Sequence, residues 1–463
     1  MKHVKRLMAL ALCTVMALTG TASYADRGRE AVFSISGTMS GQSLVSAAAA
    51  ELSDPYYDKQ WALYNDGTFT YESGDKTSDG TSGNITNPYE QFPGFLSFPG
   101  GNSRGGRNNF SIPGGTQRKA FLGKSVSLGE VSLSTASLFG GYYQTNTITA
   151  VADIDIDAKE AWDTLSDDGD EVIIAVIDTG VDYTHEDLKD SVWTNTSEIA
   201  GDGIDNDKNG YIDDVYGWDF YNDKAFEVGK NTSEYEHGTH VAGIMAASLN
   251  SKGIAGAVGD ANVKVMSIKV LGGKDGSGEA EDVIAAIEYA EKMGASICNL
   301  SFGTQEYSAK LYETIKASDM LFVCAAGNGS RTSYGDNTDN IPCYPASFNL
   351  DNIISVANLT YDGTLDASSN YGKTSVDIAA PGSYIISTLP NDSYGYFSGT
   401  SMAAPYVSAV AALVYSDREV ELSKVKEIIL GSVQKLDSLK NKVVSGGMVN
   451  AYNALTANIS GTN

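Results

Sequence analysis

Residues 171–178 read Glu171-Val-Ile-Ile-Ala-Val-Ile-Asp178. A continuous apolar run of this length, ended by an acid and the turn pair Thr179-Gly180, predicts a strand buried on both faces of a parallel sheet. Asp178 then stands at the carboxyl end of that strand, where open α/β sheets place their functional crevice. Taken alone, it also reads as a turn or helix-cap aspartate. Downstream the pattern repeats. The apolar run 320–324 leads into Ala325-Ala326-Gly327-Asn328-Gly329, and helical stretches such as 280–293 alternate with apolar strands. This alternation predicts one large α/β domain from Asp153 onward, a doubly wound, mostly parallel sheet with helices on both faces.

Two further segments carry chemistry. In Phe397-Ser-Gly-Thr-Ser-Met-Ala-Ala404, followed by Pro405, Gly399 permits a tight turn and Ser401 opens an apolar helix over 402–415. That position gives the hydroxyl the positive end of the helix dipole and nearby backbone amides. A serine so placed still needs a base, and the base needs an orienting acid. In His237-Gly-Thr-His-Val-Ala-Gly243, small residues let a helix start close against a neighbour, with His237 at its mouth. The chain has four histidines. His3 lies in a targeting segment, His240 reads as structural, and His185 follows the acid strand. A zinc site would use histidines four apart with an intervening glutamate, which is missing here.

The order Asp178, His237, Ser401, together with these segments, resembles the subtilisin-like serine proteases. The resemblance runs almost continuously from residue 171 to about 455. It implies a triad in which His237 deprotonates Ser401 and Asp178 holds the imidazolium. It implies that the Asn328 side chain and the Ser401 amide stabilise the oxyanion. It also implies that Asn299-Leu-Ser301-Phe302-Gly303 and the edge at 272–278 take an extended substrate between them as an added strand. Ser301, Gly303, Ala325 and Gly327 would line the primary specificity pocket, closed by Cys343-Tyr-Pro-Ala346 with Cys343 at its floor. No acidic group appears there, so the expected preference is for apolar or medium-sized residues before the cut. One departure is Tyr406-Val-Ser-Ala409, where the family usually has His, Val, Ala and Gly; no loss of chemistry is expected from it.

Two segments suggest calcium. In Asp205-Asn-Asp207-Lys-Asn209-Gly-Tyr211-Ile-Asp213, oxygen-bearing side chains recur at alternate positions around a glycine, the spacing of a calcium loop. Asp205, Asp207, Asn209, the Tyr211 carbonyl and Asp213 could converge on one cation, although the glutamate of a full EF-hand is missing. A solvated acidic turn is the plainer reading. The second set follows from the resemblance. An amino-terminal arm beginning Asp54-Pro-Tyr-Tyr57 is similar to that of thermitase-like members. There Asp54, Asp187 and Asn250, with the carbonyls of Ser248, Lys252 and Ile254, would share a calcium that pins the arm to the body.

The formal net charge is −26. Residues 1–25 read as a signal peptide, with Lys2, Lys5 and Arg6 before the apolar run 7–18 and Ser23-Tyr-Ala25 as a cleavage site. Its removal takes three positive side chains and no acidic one, so the charge becomes −29. Such an acidic chain excludes nucleic acid as a natural partner, and no second apolar stretch is long enough to span a membrane. The expected form is a secreted, extracellular, calcium-stabilised monomer acting on polypeptides. Cys298, Cys324 and Cys343 are an odd number of mature cysteines, so at least one thiol is free. None opens a helix beside a histidine, which argues against a cysteine nucleophile.

Residues 26–53 are too few for a packed pro-domain and read as a short pro-segment or extension. The catalytic domain then spans 54–463, interrupted over 65–150 by a Gly-, Ser-, Asn- and Tyr-rich stretch without sustained periodicity, expected to be mostly irregular. Arg104, Arg107, Arg118 and Lys119 form a basic island within it. An inhibitory or processing loop, a plain surface insertion, and a pro-segment covering all of 26–150 are the three readings, the last opposed by the arm-like match at Asp54. Two rival functions are a catalytically silent binding or adhesion protein on the same fold, disfavoured by the intact catalytic positions, and a lipase, whose Gly-x-Ser-x-Gly elbow is broken by Ala403.

Overall fold

The computed structural model describes residues 54–74, 109–111, 143–166, 169–229, 232–273, 276–329, 334–418 and 420–458. The signal-peptide segment, residues 26–53 and the basic island at Arg104, Arg107, Arg118 and Lys119 lie outside the described residues. In chain order the strands and helices are β1 (Thr68–Gly74), β2 (Asn109–Ser111), β3 (Tyr143–Thr149), α1 (Ala158–Trp162), β4 (Val172–Asp178), β5 (Trp218–Asp219), β6 (Lys224–Ala225) and α2 (Glu236–Ala246). They continue with β7 (Val263–Lys269), β8 (Ser277–Glu279), α3 (Ala280–Lys292), β9 (Ile297–Leu300), α4 (Ala309–Ala317), β10 (Leu321–Ala325), β11 (Ile353–Leu359), β12 (Ile378–Pro381), β13 (Ile385–Leu389) and β14 (Ser393–Phe397). The carboxyl end supplies α5 (Thr400–Asp417), α6 (Leu422–Gly431), β15 (Gln434–Lys435), β16 (Gly447–Met448) and α7 (Ala451–Thr456).

The main sheet has the order β15-β16-β12-β11-β10-β9-β4-β7-β5-β6. From β16 to β5 every neighbouring pair is parallel, and only the outermost pairs at each edge are antiparallel. The alternation of strand and helix in the sequence thus gives the doubly wound α/β architecture. Strand order reverses at β4. Later strands are laid down on one side as β7 and on the other as β9, which makes the carboxyl end of β4 the topological switch point. Asp178 is the last residue of that strand.

Both faces of β4 are buried, for a reason visible in its composition. Val172, Ile174 and Val176 belong to the core shared with α2 and α5, while Ala175 and Ile177 belong to the core shared with α3 and α4. A strand covered by helices on both sides has no solvent face to leave polar, so its sequence is a continuous apolar run. α5 is the same argument in helical form. Its residues Thr400 to Val414 are all buried, and it packs against β4, β9, β10, β11 and β12; an apolar helix without a polar face belongs in the middle of a protein.

Two expectations needed adjustment. The stretch expected to be irregular carries strands at both ends. β1 and β3 pair antiparallel from Thr68 opposite Thr149 to Gly74 opposite Tyr143, and β2 pairs with β8. These are polar, Thr-rich strands, whose pairing partners rather than their hydrophobic pattern define them. The resemblance to the family's carboxyl end also implies a helix over 422–439, and α6 is shorter than that. It ends at Gly431, and the chain turns through β15 into a short 3-10 turn at Asp437–Leu439, a break consistent with the glycine at the helix end.

Candidate active site

The acid and the base are set by the close approach of α2 to the end of β4. Gly238 makes this possible. A Cβ built on it would stand 2.3 Å from the Gly180 carbonyl oxygen and 3.3 Å from Asp178 Cβ. Its amide donates to Thr179 Oγ1 at 2.9 Å, and Thr179 N donates to Asp178 Oδ1 at 2.6 Å. With the helix this close, His237 Nδ1 reaches both oxygens of Asp178, at 2.8 and 3.0 Å. Asp178 is fully buried. The carboxylate therefore selects the tautomer with the proton on Nδ1, leaving Nε2 as the basic atom. Nε2 is buried and, among the described residues, has no hydrogen-bond partner. Such a group is uncommon in a folded interior and leaves the atom open to a partner from outside the protein.

A buried lysine braces this corner. Lys269 Nζ donates to the carbonyls of Leu271, Thr179 and Glu234, at 2.6, 3.0 and 3.2 Å. It thereby ties the residue after the acid, the approach to α2 and the chain leaving β7 to one cation.

The nucleophile candidate comes from the other side of the crevice. Gly399 has φ +154°, a backbone conformation reserved for glycine, and a Cβ there would stand 3.1 Å from Asn328 Nδ2. α5 begins at the next residue. Pro405 lies inside it and has no amide to donate to the carbonyl four residues earlier, that of Ser401. The Ser301 hydroxyl supplies that hydrogen bond instead, at 2.9 Å. In return, Ser401 Oγ donates to the Ser301 carbonyl at 2.8 Å. The Ser401 hydroxyl thus rests on the Ser301 carbonyl in this structure; a bond from a catalytic hydroxyl to its base commonly tightens only when substrate is bound.

Asn328 is buried beside this helix start. Its Oδ1 accepts from Thr400 N and Thr400 Oγ1, at 2.9 and 3.1 Å, and Thr400 Oγ1 accepts from Gly327 N at 3.1 Å. With its carbonyl so engaged, its Nδ2 is the end that lies over Gly399. One contributor has no signal in the sequence. Asn370, in a polar loop, grips the segment before and after Asn328. Its Nδ2 donates to the Ala326 carbonyl at 2.7 Å, its Oδ1 accepts from Gly329 N at 2.9 Å, and its own amide donates to the Gly327 carbonyl at 2.8 Å.

Beside the nucleophile, Cys343 Sγ is seated against two glycines. A Cβ on Gly303 would stand 2.7 Å from that sulfur, and one on Gly327 3.1 Å. Ser301, Phe302, Gly303, Ala325 and Gly327 are all buried, and Cys343 is nearly so. Burial pushes the Cys343 thiol up to about 12, so it is a neutral, compact wall at physiological pH. Cys298 and Cys324 are also buried and unbridged. His240 is structural. It is fully buried, stacked on Phe397, hydrogen-bonded at Nε2 to the carbonyls of Ile385 and Gly395, and burial lowers its pKa to about 3. His185 contacts Asp187 N and the Ser393 carbonyl.

The arm meets the body through the amides of these segments. Asp54 Oδ1 accepts from the amides of Asn250 and Lys252, both at 3.2 Å. Asp187 Oδ2 accepts from Ile254 N at 3.0 Å and from the Tyr394 hydroxyl at 2.9 Å, and the amide of Ser248 donates to the Asp187 carbonyl. Asp187 Oδ1 is buried and, among the described residues, has no hydrogen-bond partner. Burial raises the pKa of both Asp54 and Asp187. A buried carboxylate oxygen left without a proton donor is chemically suited to a hard cation.

The acidic loop is assembled differently from its spacing. Glu198, Asp205 and Asp207 bring ligand oxygens within 4.8 Å of one another. Glu198 precedes the loop and was invisible to the alternating pattern. Asp213 turns its carboxylate to the amides of Asp202 and Gly203. Asn209 directs its side-chain carbonyl to Tyr211 N and its amide nitrogen to Asp207 and Asp214, while the Tyr211 ring packs against Trp218, Phe220 and Tyr289.

Among the described residues, no helix is long and apolar enough to cross a membrane. Residues 169–447 match the model of the Subtilase family. The chain is 35% identical over 308 residues to Subtilisin-like protease 1 of Plasmodium berghei (strain Anka), covering 63% of this chain and 50% of that protein. It is 37% identical over 268 residues to the Major intracellular serine protease of Bacillus subtilis (strain 168), covering 57% of this chain and 74% of that one. Among solved structures, one described as proteases from Pseudoalteromonas arctica PAMC 21717 is similar with a TM-score of 0.51 at 28% identity, covering 65% of this chain and 94% of that chain. The chain thus spans about half the length of the Plasmodium berghei relative it matches.

Proposed function

The chain belongs to the subtilase family, and from that membership we propose that it is a secreted, calcium-stabilised serine endopeptidase. The observation that carries this reading is the two-oxygen contact of Asp178 with His237 Nδ1, which leaves Nε2 as a buried, unpartnered base in the crevice. Ser401 Oγ turns from the Ser301 carbonyl toward His237 Nε2, gives up its proton and attacks the scissile carbonyl carbon. Asp178 stabilises the imidazolium. The Ser401 amide and Asn328 Nδ2 donate to the developing oxyanion, where fixed dipoles act without reorganisation. The tetrahedral intermediate collapses, His237 passes its proton to the leaving amine, and water hydrolyses the acyl-enzyme by the same steps.

Specificity follows from a pocket whose proposed lining, Ser301, Gly303, Ala325, Gly327 and Cys343, carries no charge. It takes apolar or medium-sized residues before the cut. Calcium held by Asp54, Asp187 and Asn250, with the carbonyls of Ser248, Lys252 and Ile254, would neutralise the buried carboxylates and fasten the arm. Export rests on the reading of residues 1–25. The deciding experiment incubates a mixed peptide library with secreted wild type and Ser401→Ala in calcium, with cleavage sites read by mass spectrometry. Cleavage by wild type alone, after apolar residues, is the expected result. Cleavage only after Arg or Lys would overturn the pocket assignment, and cleavage by neither protein would overturn the protease.

A further inference from the structure

Lys269 closes β7 and stands in register opposite Asp178 of β4 and Asp219 of β5. Its own carbonyl accepts from the amides of Phe220 and Tyr221, at 2.8 and 3.3 Å, so its backbone is fixed. Each of the three carbonyls on its Nζ belongs to a segment that leads to the acid or the base. Thr179 follows Asp178 and gives its amide to Asp178 Oδ1. Leu271 is bound at both ends: its amide, with that of Val270, donates to the Asp178 carbonyl, at 3.2 and 2.8 Å, while its carbonyl accepts from Lys269. Glu234 closes the 3-10 turn Thr232–Glu234, from which the chain enters α2 through Tyr235. The Tyr235 carbonyl in turn accepts from Thr239 N and Oγ1, at 3.1 and 2.7 Å. There is little slack between Glu234 and His237.

Three acceptors around one nitrogen require three N–H donors, which an ammonium has and a neutral amine lacks. Lys269 is therefore charged, although it is only 4% exposed. Burial pulls its pKa below the ordinary lysine value, and the carboxylates of Asp219, Glu234 and Asp178 act the other way. The Asp219 carboxylate is held by Asn222, at 3.0 and 2.7 Å, and the Tyr221 ring lies 5.6 Å from Nζ. A buried charge surrounded by main-chain carbonyls is a costly way to fill space. An apolar side chain of the same length would fill it too, but could not hold three carbonyls to one point. We propose that Lys269 is a positioning residue of the peptidase: by clamping Thr179, Glu234 and Leu271 to one nitrogen, it sets the distance and angle at which His237 Nδ1 meets Asp178. This rests on the triad reading above. Lys269 touches no reacting atom and acts through the acid and the base. Gly238 permits the close approach of α2 to β4, and Lys269 holds it. Without the clamp the two ends are free to part, and a displacement on the order of 1 Å at such a contact costs about 10²-fold in rate.

The test uses the full chain with Lys269→Met, which keeps length and bulk without charge or donors. Lys269→Gln keeps two N–H donors for the carbonyls and carries the test alone if the Met variant does not fold. Ile315→Ala opens a cavity on α4, where that helix packs against α3, and is the control for lost stability. Each protein is assayed in calcium below its own Tm, for turnover of a peptide substrate and for the rate at which a small sulfonyl fluoride labels Ser401. Both Lys269 variants are expected to lose about tenfold or more in kcat with little change in KM, and labelling should slow by the same factor. Ile315→Ala, with a lowered Tm of its own, should keep wild-type kcat and labelling. A spectroscopic readout reports the contact itself. In the Ser401→Ala background, which cannot digest itself, the proton between His237 Nδ1 and Asp178 gives a far-downfield NMR resonance. It should shift or broaden in the Lys269 variants and stay in place in Ile315→Ala. Wild-type kcat with an unmoved resonance in a folded Lys269 variant would overturn the proposal and leave the protease intact. Failure to label Ser401 in the wild type would overturn the protease reading and this inference with it.

Discussion

Asn370 is worth more to the site than its place in a polar loop suggests. Its side chain and amide hold Ala326, Gly327 and Gly329, the residues on either side of Asn328. It touches no reacting atom and acts through Asn328, so it is a positioning residue. On the proposed mechanism, replacing Asn328 by Ala removes an oxyanion donor and is expected to lower kcat by roughly 10²–10³ with little change in KM. Asn370→Ala lets the donor wander and is expected to lower kcat by about tenfold or more. The discriminating measurement is the double variant. In the Asn328→Ala background, Asn370→Ala should cost kcat little, because the group it aims is already gone. Full additivity would assign Asn370 to stability alone. The motif around Asn328 is readable along the chain, since a glycine-flanked asparagine after an apolar strand is a local pattern. Asn370 is not, because its partners lie about 40 residues away and nothing in its neighbours marks it.

Between elements, the catalytic contact depends on how near α2 comes to β4. Gly238 sits at the crossing, with the Gly180 carbonyl where its Cβ would be. Gly238→Ala is therefore expected to push the helix off the strand, lengthen the His237–Asp178 contact and lower kcat by about 10²-fold. Overpacking of this kind also costs about 1–3 kcal/mol of stability. The control is Gly431→Ala at the end of α6, where a Cβ would meet nothing within 4 Å. There the change should be neutral, or stabilising by about 0.4–1 kcal/mol. Parallel measurement of kcat and thermal midpoint for the two variants checks both statements. If both substitutions left kcat untouched, the close crossing would not be what sets the triad. The tight helix start was foreseeable from the small residues of His237-Gly-Thr-His, but the oxygen that Gly238 must avoid belongs to a strand end some 58 residues earlier in the sequence.

For the whole molecule, the arm is the exposed risk. It is docked by hydrogen bonds from Tyr56 to the Gly253 carbonyl, between Gln60 and Ala255 in both directions, and from Trp61 to the Ser383 carbonyl. It also seats Asp54 against the amides of Asn250 and Lys252. A cation there stabilises only the folded chain, since the unfolded chain cannot gather the ligands. At 100 times the dissociation constant the gain is about 2.7 kcal/mol, or roughly 3–4 °C in Tm for a domain of this size. Chelation is therefore expected to lower Tm by that amount in calorimetry, and Asp187→Asn should remove most of the response. A Tm indifferent to chelator in the wild type would remove calcium from both proposed sites.

The amino-acid sequence by itself determined the doubly wound sheet, the chain order of Asp178, His237 and Ser401 at the ends of their elements, and the glycines at which backbone must turn or touch. These are short-range properties. Burial on two faces forces a continuous apolar strand, and a helix start forces a small set of residue types. Only the tertiary structure decided that Ser301 replaces the hydrogen bond Pro405 cannot make, that Glu198 rather than Asp213 joins Asp205 and Asp207, that Asn370 holds the oxyanion segment, and that β2 lies on the edge of β8. Each of these is a pairing of polar groups far apart in the chain. Such a pairing leaves no period in either segment, and becomes defined only when the core has brought the two backbones within reach.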